Sequence, residues 1–260
     1  MAKRMTEKIY SWNINGLRAV TKKGFFKWFL KEEPDVLCLQ ETKLQKEQLT
    51  DEMLNVNGYY SHFSFAKRKG YSGVATYSKE KPITVKHGIG IEKFDSEGRI
   101  LISEFKNYTL LNIYFPNGQM NDERLKYKLD FYDAMLSFCD ELVKSGKKLV
   151  ISGDYNTAHK PIDLKNDKAN EKRSGFLPIE REWIDKLISH GYVDSFRHFY
   201  PNKIKYSWWS YRFNARANNA GWRIDYHFIS QNLLDRVVDA MILDEIPNSD
   251  HCPIVIEIEK

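Results

Sequence analysis

The stretch KLVISGDYN, residues 148–156, decides how this chain is read. Leu149, Val150 and Ile151 form a short apolar run, two of its three residues β-branched, of a length natural to a buried strand. The run passes Gly153 and delivers Asp154 and, two residues on, Asn156. If the strand continues locally, those two side chains point to one face, because residues at i and i+2 of a strand share a side.

Runs of the same kind recur from end to end: IYSWN (9–13), DVLCLQ (35–40), YYSHFSF (59–65), GVATYS (73–78), ILISEF (100–105), YTLLNIYF (108–115), IDYHFIS (224–230) and PIVIEI (253–258). Helices fall between them. The clearest spans 122–144, where Leu125, Leu129, Tyr132, Met135, Leu136, Cys139, Leu142 and Val143 recur at steps of three or four, after Asn121 as N-cap and before Gly146 as a stop. Others are expected over 22–31, 45–54 and 179–189, with no internal repeat or long linker. Strands in series with helices interspersed predict an α/β sandwich of mixed sheets with helices outside.

At 260 residues the chain is long enough for one large core, and one domain over 1–260 is the expectation. Apolar residues make up 42% of it and the mean hydropathy is −0.56, with no stretch approaching the ~20 apolar residues of a membrane span. The start, MAKRMTEKIYSW, turns polar where a signal peptide needs an apolar run, so a cytoplasmic location is expected. Cys38, Cys139 and Cys252 sit in apolar contexts and read as core thiols rather than a disulfide framework. Forty Lys and Arg against 35 Asp and Glu give a net +5, a mild excess that suits a polyanionic partner without requiring one. Six Trp, 15 Tyr and 15 Phe, several interleaved with Arg and Asn, suit a nucleic-acid surface better than charge alone does.

Several strands stop at residues that are not ordinary turn formers. IYSW ends in Asn13, DVLCLQ in Glu41, TLLNIY holds Tyr114, and Asp225 opens a late strand while Asp250 and His251 precede the last. In α/β sheets such ends converge on one crevice. Carboxylates of Glu41, Asp154 and Asp250 with amides of Asn13 and Asn156 make an oxygen-rich set that favours Mg²⁺ or Mn²⁺ over zinc. A metal beside His251, oriented by Asp225, supplies what phosphodiester hydrolysis requires. No Walker-type glycine loop and no Gly-x-Ser-x-Gly elbow is present. Taken singly, each of these residues has a bland role in a turn, a solvated end or the core; the joint occurrence points to a metal hydrolase.

The runs SWNINGLRA (11–19), DVLCLQETK (35–43), GYSGVA (70–75), NIYFPNG (112–118), GDYNTAH (153–159), NARANNAGWRIDY (214–226) and SDHCP (249–253) closely resemble the exonuclease III family of apurinic/apyrimidinic endonucleases, in the same order and over essentially the whole chain. The resemblance implies a four-layer α/β sandwich, two packed mixed sheets flanked by helices, of the DNase I-like kind. It implies Mg²⁺-dependent incision of duplex DNA 5′ to an abasic site, leaving a 3′-hydroxyl and a 5′-deoxyribose phosphate, with 3′-phosphodiesterase and 3′→5′ exonuclease activity. The partner would be double-stranded DNA with abasic or 3′-blocked sites, bound by a monomer in the compartment that holds DNA.

The same resemblance assigns roles. Glu41 is the principal metal ligand with Asn13 and Asp250 close by, and Asp154, Asn156 and His251 frame a second ion position. Asp154 orients and deprotonates the attacking water, Asn156 binds the transition state, His251 held by Asp225 contacts the phosphate, and Tyr114 acts near the leaving group. Arg18, Ala19, Arg68, Gly70, Tyr71, Asn117, Asn166 and Asn170 match backbone-gripping positions. Trp208, Trp222 and Ile224 match the pocket for a sugar without a base, and Arg212, next to Asn214, matches the residue inserted into the stack. Asn15 stands where some members carry an Asp, which removes an acidic contribution from that position. Three other readings compete: an endonuclease of the same fold that also cuts at damaged or deaminated (uracil) nucleotides, a phosphodiesterase for a small or lipid substrate on the same scaffold, and a DNA-binding protein without catalysis.

Overall fold

Twelve strands form two six-stranded sheets in the computed structural model, which describes residues 5–260. They are β1 (Thr6–Asn13), β2 (Val36–Gln40), β3 (Tyr60–Ser64), β4 (Val74–Ser78), β5 (Thr84–His87), β6 (Ile100–Glu104), β7 (Thr109–Tyr114), β8 (Leu149–Asp154), β9 (Tyr192–Asp194), β10 (Asp225–Ser230), β11 (Val237–Ile242) and β12 (Ile254–Glu259). One sheet runs β11-β12-β1-β2-β4-β3 and the other β5-β6-β7-β8-β10-β9. Each has one parallel pair at its centre, β1 with β2 and β7 with β8; every other pairing is antiparallel. Both sheets are therefore mixed.

Helices cover the outer faces. Phe131, Tyr132, Met135 and Leu136 of the helix Asp122–Lys144, with Trp183, Ile184 and Leu187 of the helix Pro178–Ser189, pack on Ile102, Leu111, Ile113, Ile151 and Phe228. Leu17, Val20, Phe25 and Phe29 cover Trp12, Leu37, Leu39 and Tyr77 of the other sheet. Between the sheets lie Ile9, Val36, Cys38, Leu110, Val150, Ile229, Ile256 and Ile258, so the order is helix, sheet, sheet, helix. This is the four-layer sandwich that the resemblance implied.

The long helix has the expected bounds, with the Asn121 side chain accepting from Arg124 N at 2.8 Å and Gly146 at φ 88° past its end. The helix expected over 22–31 forms as Phe25–Glu32, starting after Gly24 at φ 86°, and a short helix that was not expected, Leu17–Thr21, precedes it; the one over 45–54 is broken into a 3₁₀ turn, Lys46–Gln48, and Asp51–Leu54. Three strands went unforeseen: β5, β9 and β11, all at sheet edges. An edge strand is paired and covered on fewer sides, so it carries no continuous apolar signature. The three cysteines are free and buried. Among the described residues no helix is long and apolar enough to cross a membrane. Residues Met1–Arg4, the start of the segment on which the signal-peptide expectation rested, lie outside those described.

Candidate active site

Each inward-facing row of the inter-sheet layer changes character along its strand. Ile9, Ser11, Asn13 on β1, Val36, Cys38, Gln40 on β2, Leu110, Asn112, Tyr114 on β7 and Val150, Ser152, Asp154 on β8 all run from apolar to polar toward one end. β10 is antiparallel to β8 and runs the other way, so its first residue, Asp225, pairs in register with Asp154. The polar side chains midway are largely paired: Gln40 Nε2 donates to Ser11 Oγ at 3.0 Å and to Asn112 Oδ1 at 2.8 Å, leaving Gln40 Oε1 without a partner among the described residues, and His227 Nδ1 lies 2.7 Å from Ser152 Oγ. Burial without such partners would cost about 1–3 kcal/mol per group.

At the polar end the buried Asn13 amide donates to Glu41 Oε1 at 3.0 Å and to Asp154 Oδ2 at 2.9 Å. One neutral group thus spaces two carboxylates. Asn156 reaches the site by a turn, not by strand alternation: β8 ends at Asp154 and Asn156 takes φ 52°. Its N–H donates to Asp154 Oδ1 at 2.8 Å and its Nδ2 to Phe115 O at 2.9 Å, which holds it beside the acid. The strand extrapolation gave the correct neighbour for the wrong reason.

His251 Nδ1 is 2.8 Å from Asp225 Oδ2, leaving Nε2 aimed at Asp154 Oδ2, 3.8 Å away. Ser207 Oγ donates to the same Asp225 oxygen at 2.6 Å. Asp250 is held apart from this cluster: its Oδ1 accepts from Asn15 Nδ2 at 3.0 Å and its Oδ2 from Trp208 Nε1 at 3.1 Å. Arg99 stacks its guanidinium 4.5 Å from the Tyr114 ring centroid and donates to the Tyr114 carbonyl at 3.0 Å.

Burial sets the charges. It pushes Asp154 up to about 7, with Asp225 adding to the rise and His251, Asn13 and the Asn156 N–H opposing it. Burial alone would lower His251, but the carboxylates of Asp225 and Asp154 outweigh it and hold the imidazolium to about 10. The two share one proton-rich environment. Burial would raise Glu41, yet the Lys43 ammonium with donors from Asn13, Lys43 and Tyr114 keeps it below the usual range. Asp250 is also kept low, by His251 and by donors from Asn15, Trp208 and Ser249 against the burial cost. Tyr114 is raised well above its ordinary value by burial and by the Glu41 charge, so it remains a phenol.

A cleft of about 740 Å³ opens on this cluster, lined by Glu41, Tyr114, Asn117, Asp154, Asn156, Asn166, Asn170, Trp208, Arg212, Trp222, Ile224, Asp250 and His251 among the expected residues. Trp208 and Trp222 meet edge to face at 6.2 Å, over an apolar group of Leu164, Phe176 and Ile224. Gly175 closes that wall: at φ 98° a side chain there would stand 3.2 Å from the Trp222 ring. Asn13 and Asp225 lie beneath the cleft floor. Arg18, Ala19, Arg68 and Gly70 are exposed and Tyr71 half-buried, but they lie outside the cleft lining, as does Asn214.

Asp154, Asp225 and His251 form a group whose ligand atoms lie within 4.8 Å of one another and could hold a metal ion. That group differs from the set expected around Glu41. Lys43, Arg99, Arg173, Ser207 and Phe213 were missed. Arg173 and the 91% exposed Phe213 line the cleft, while Lys43 lies inside the ETK motif itself. Composition offers no signal for Ser207, whose role depends on a strand pairing distant in sequence.

Residues 10–251 match the endonuclease/exonuclease/phosphatase family. An exodeoxyribonuclease of Bacillus subtilis (strain 168) is 46% identical over 249 residues, 95% of this chain and 97% of that protein. A DNA-(apurinic or apyrimidinic site) endonuclease of Dictyostelium discoideum is 40% identical over 255 residues, 97% of this chain and 70% of that protein. Among solved structures, a 3′ phosphatase from Neisseria bound to a product DNA hairpin superposes with a TM-score of 0.89 at 28% identity, covering 98% of this chain and all 100% of that one.

Proposed function

The chain belongs to the endonuclease/exonuclease/phosphatase family, and from that premise we propose that it is a DNA-repair AP endonuclease working as one catalytic unit. It hydrolyses the phosphodiester 5′ to an abasic site in duplex DNA, leaving a 3′-hydroxyl and a 5′-deoxyribose phosphate. The same chemistry at a strand end gives 3′-phosphodiesterase and 3′→5′ exonuclease activity. The observation that carries this reading is one cleft holding both parts it needs: the Glu41, Asp154 and His251 cluster, and the Trp208, Trp222 and Ile224 wall beside it.

Asp154, raised to about 7 by burial, accepts a proton from water near neutral pH, where a general base is most effective. Asn13 and Asn156 fix its orientation through their hydrogen bonds. His251, charged and braced by Asp225, presents Nε2 to the oxygens of the phosphate, where negative charge grows during attack. Tyr114 keeps its proton and lies beside Glu41 in the cleft lining, placed to hydrogen-bond the departing oxygen. The pocket selects by size: a sugar without a base fits against the two indoles, and an abasic nucleotide costs little to unstack. Asn117, Asn166, Asn170 and the unforeseen Arg173 line the cleft as backbone contacts, with Arg212 as the stacking residue.

The site fits a divalent cation. Its donors are carboxylate and amide oxygens, and Asp225 Oδ1 is buried with no hydrogen-bond partner among the described residues. Glu41, Asp250 and Asn13 would hold the ion, with Asp154 and Asn156 at a second position that His251 could join only as the neutral imidazole. Such a donor set selects Mg²⁺, with Mn²⁺ as substitute, and the ion would neutralise phosphate charge. We take the chain to act as a monomer in a reducing, DNA-containing compartment, in keeping with its three free buried thiols.

The test is incision of a duplex oligonucleotide bearing one abasic analogue, with Mg²⁺ and with EDTA, and a uracil-containing duplex alongside. A metal-dependent nick 5′ to the abasic site is expected. Cleavage of small or lipid phosphodiesters with abasic duplex left intact would overturn the proposal.

A further inference from the structure

The loop leaving β2 places two non-glycine residues in the left-handed region, Glu41 at φ 53° and Lys43 at φ 52°. L side chains rarely adopt that conformation, so the surrounding fold must hold it. The result is that the Lys43 ammonium lies 2.8 Å from Glu41 Oε2. The same ammonium donates to Asn15 Oδ1, and the Asn15 amide donates to Asp250 Oδ1 at 3.0 Å. One built-in cation therefore joins Glu41 to Asp250 through a neutral amide. Glu41 Oε1 accepts from Asn13 at 3.0 Å, so each oxygen of the carboxylate already has a partner, Oε2 the ammonium. An ammonium and a hard divalent ion seek the same carboxylate and amide oxygens. Two cations crowding one carboxylate oxygen would repel each other strongly at a half-buried site.

Resting on the reading of Glu41 as principal metal ligand, we propose that Lys43 is an internal counter-cation, which occupies the Glu41 face of the site in the metal-free protein and is displaced toward the cleft when a divalent ion binds. The Lys43 side chain is 34% exposed, so it has solvent to move into. The cleft it enters is the one that receives the phosphate backbone, where a freed ammonium finds new acceptors. In the metal-free state it keeps Glu41 ionised and in place; in the loaded state it is available to substrate. Asn15 makes the exchange feasible, because a neutral amide holds the ammonium less firmly than a carboxylate would.

The experiment is a calorimetric titration of the metal-free protein with Mn²⁺ in the absence of DNA, a readout independent of turnover. Lys43→Met should bind Mn²⁺ about tenfold more tightly, within the usual range of coupling between competing ligands. Lys43→Arg should stay near the wild type. The metal-free thermal midpoint of Lys43→Met should fall, and saturating Mn²⁺ should restore it. If Lys43→Met folds poorly, electron paramagnetic resonance of Mn²⁺ bound by Lys43→Gln gives the same comparison. Unchanged or weaker affinity in these variants overturns the proposal. Glu41→Gln separates the two levels: if it leaves Mn²⁺ affinity unaltered, the ligand assignment fails and the displacement with it. If Glu41→Gln weakens binding while loss of the ammonium changes nothing, only the role of Lys43 falls.

Discussion

The layer between the two sheets has two ends made from the same strands, and they follow opposite rules. At one end Ile9, Val36, Leu110, Val150, Ile229 and Ile256 pack as an apolar core. At the other end of the same layer, Asn13, Asp154, Asp225 and His251 are equally buried yet polar or charged. The first end lowers free energy by removing apolar surface from water. The second retains charge at a desolvation cost, offset by hydrogen bonds that leave each group in a set protonation state. Catalytic chemistry here is the same sheet packing continued into residues that make it less stable.

The largest separation of the two ends is expected in turnover. Asp154→Asn and His251→Ala should each lower abasic-site incision by about 10²–10⁴-fold while duplex binding, measured by anisotropy, persists. Normal cutting by either variant would remove the site assignment. The apolar end should give the converse: Leu110→Ala is expected to destabilise by about 2–5 kcal/mol in urea unfolding, with turnover per folded molecule little altered. A matching loss of turnover would show that the two ends are not separable. Midway, Gln40→Ala removes the donor to Asn112 Oδ1 and to Ser11 Oγ and should cost about 1–3 kcal/mol, with a smaller effect on rate.

The smallest and most selective effect is pH dependence in the metal-free protein. His251 has its folded value raised from 6.5 to about 10, so its contribution to stability is full below 6.5 and disappears as pH rises through about 10. Asp154, raised from 3.8 to about 7, likewise favours the protonated form, and stability falls as pH rises through about 7. Thermal midpoints of the wild type and His251→Gln should therefore converge between neutral pH and pH 10, whereas Leu110→Ala should track the wild type at a constant offset. Parallel curves for His251→Gln would show that the imidazolium is not held by its carboxylates.

Nine of the twelve strands, the long helix and most of the cleft residues were legible in the sequence. Buried central strands betray themselves by apolar runs, and a polar residue ending such a run is conspicuous. The edge strands were not legible, since a strand such as β5, exposed over most of its length, has no burial to record. Nor was the helix Leu17–Thr21, because five residues are too few to show a helical period. At the site, Asp154 with Asn156 was found, while the left-handed turn that joins them was not. Arg68, Gly70 and Tyr71 were expected as backbone contacts, yet Tyr71 is held by Arg99 and Arg124 outside the cleft. A motif fixes residue types and order but not which wall each faces.

By itself, the sequence determined which residues are available for the chemistry and that they sit at strand ends, because hydrophobic periodicity is a local property of the chain. Only the tertiary structure decided which ends meet: Asp225 against Asp154 across an antiparallel pair, and His251 against Asp225. Protonation states were decided there too. They depend on desolvation and on charges that the fold brings within a few ångströms, such as His251 beside Asp225 and Asp154, 26 and 97 positions away, and no local pattern encodes those distances.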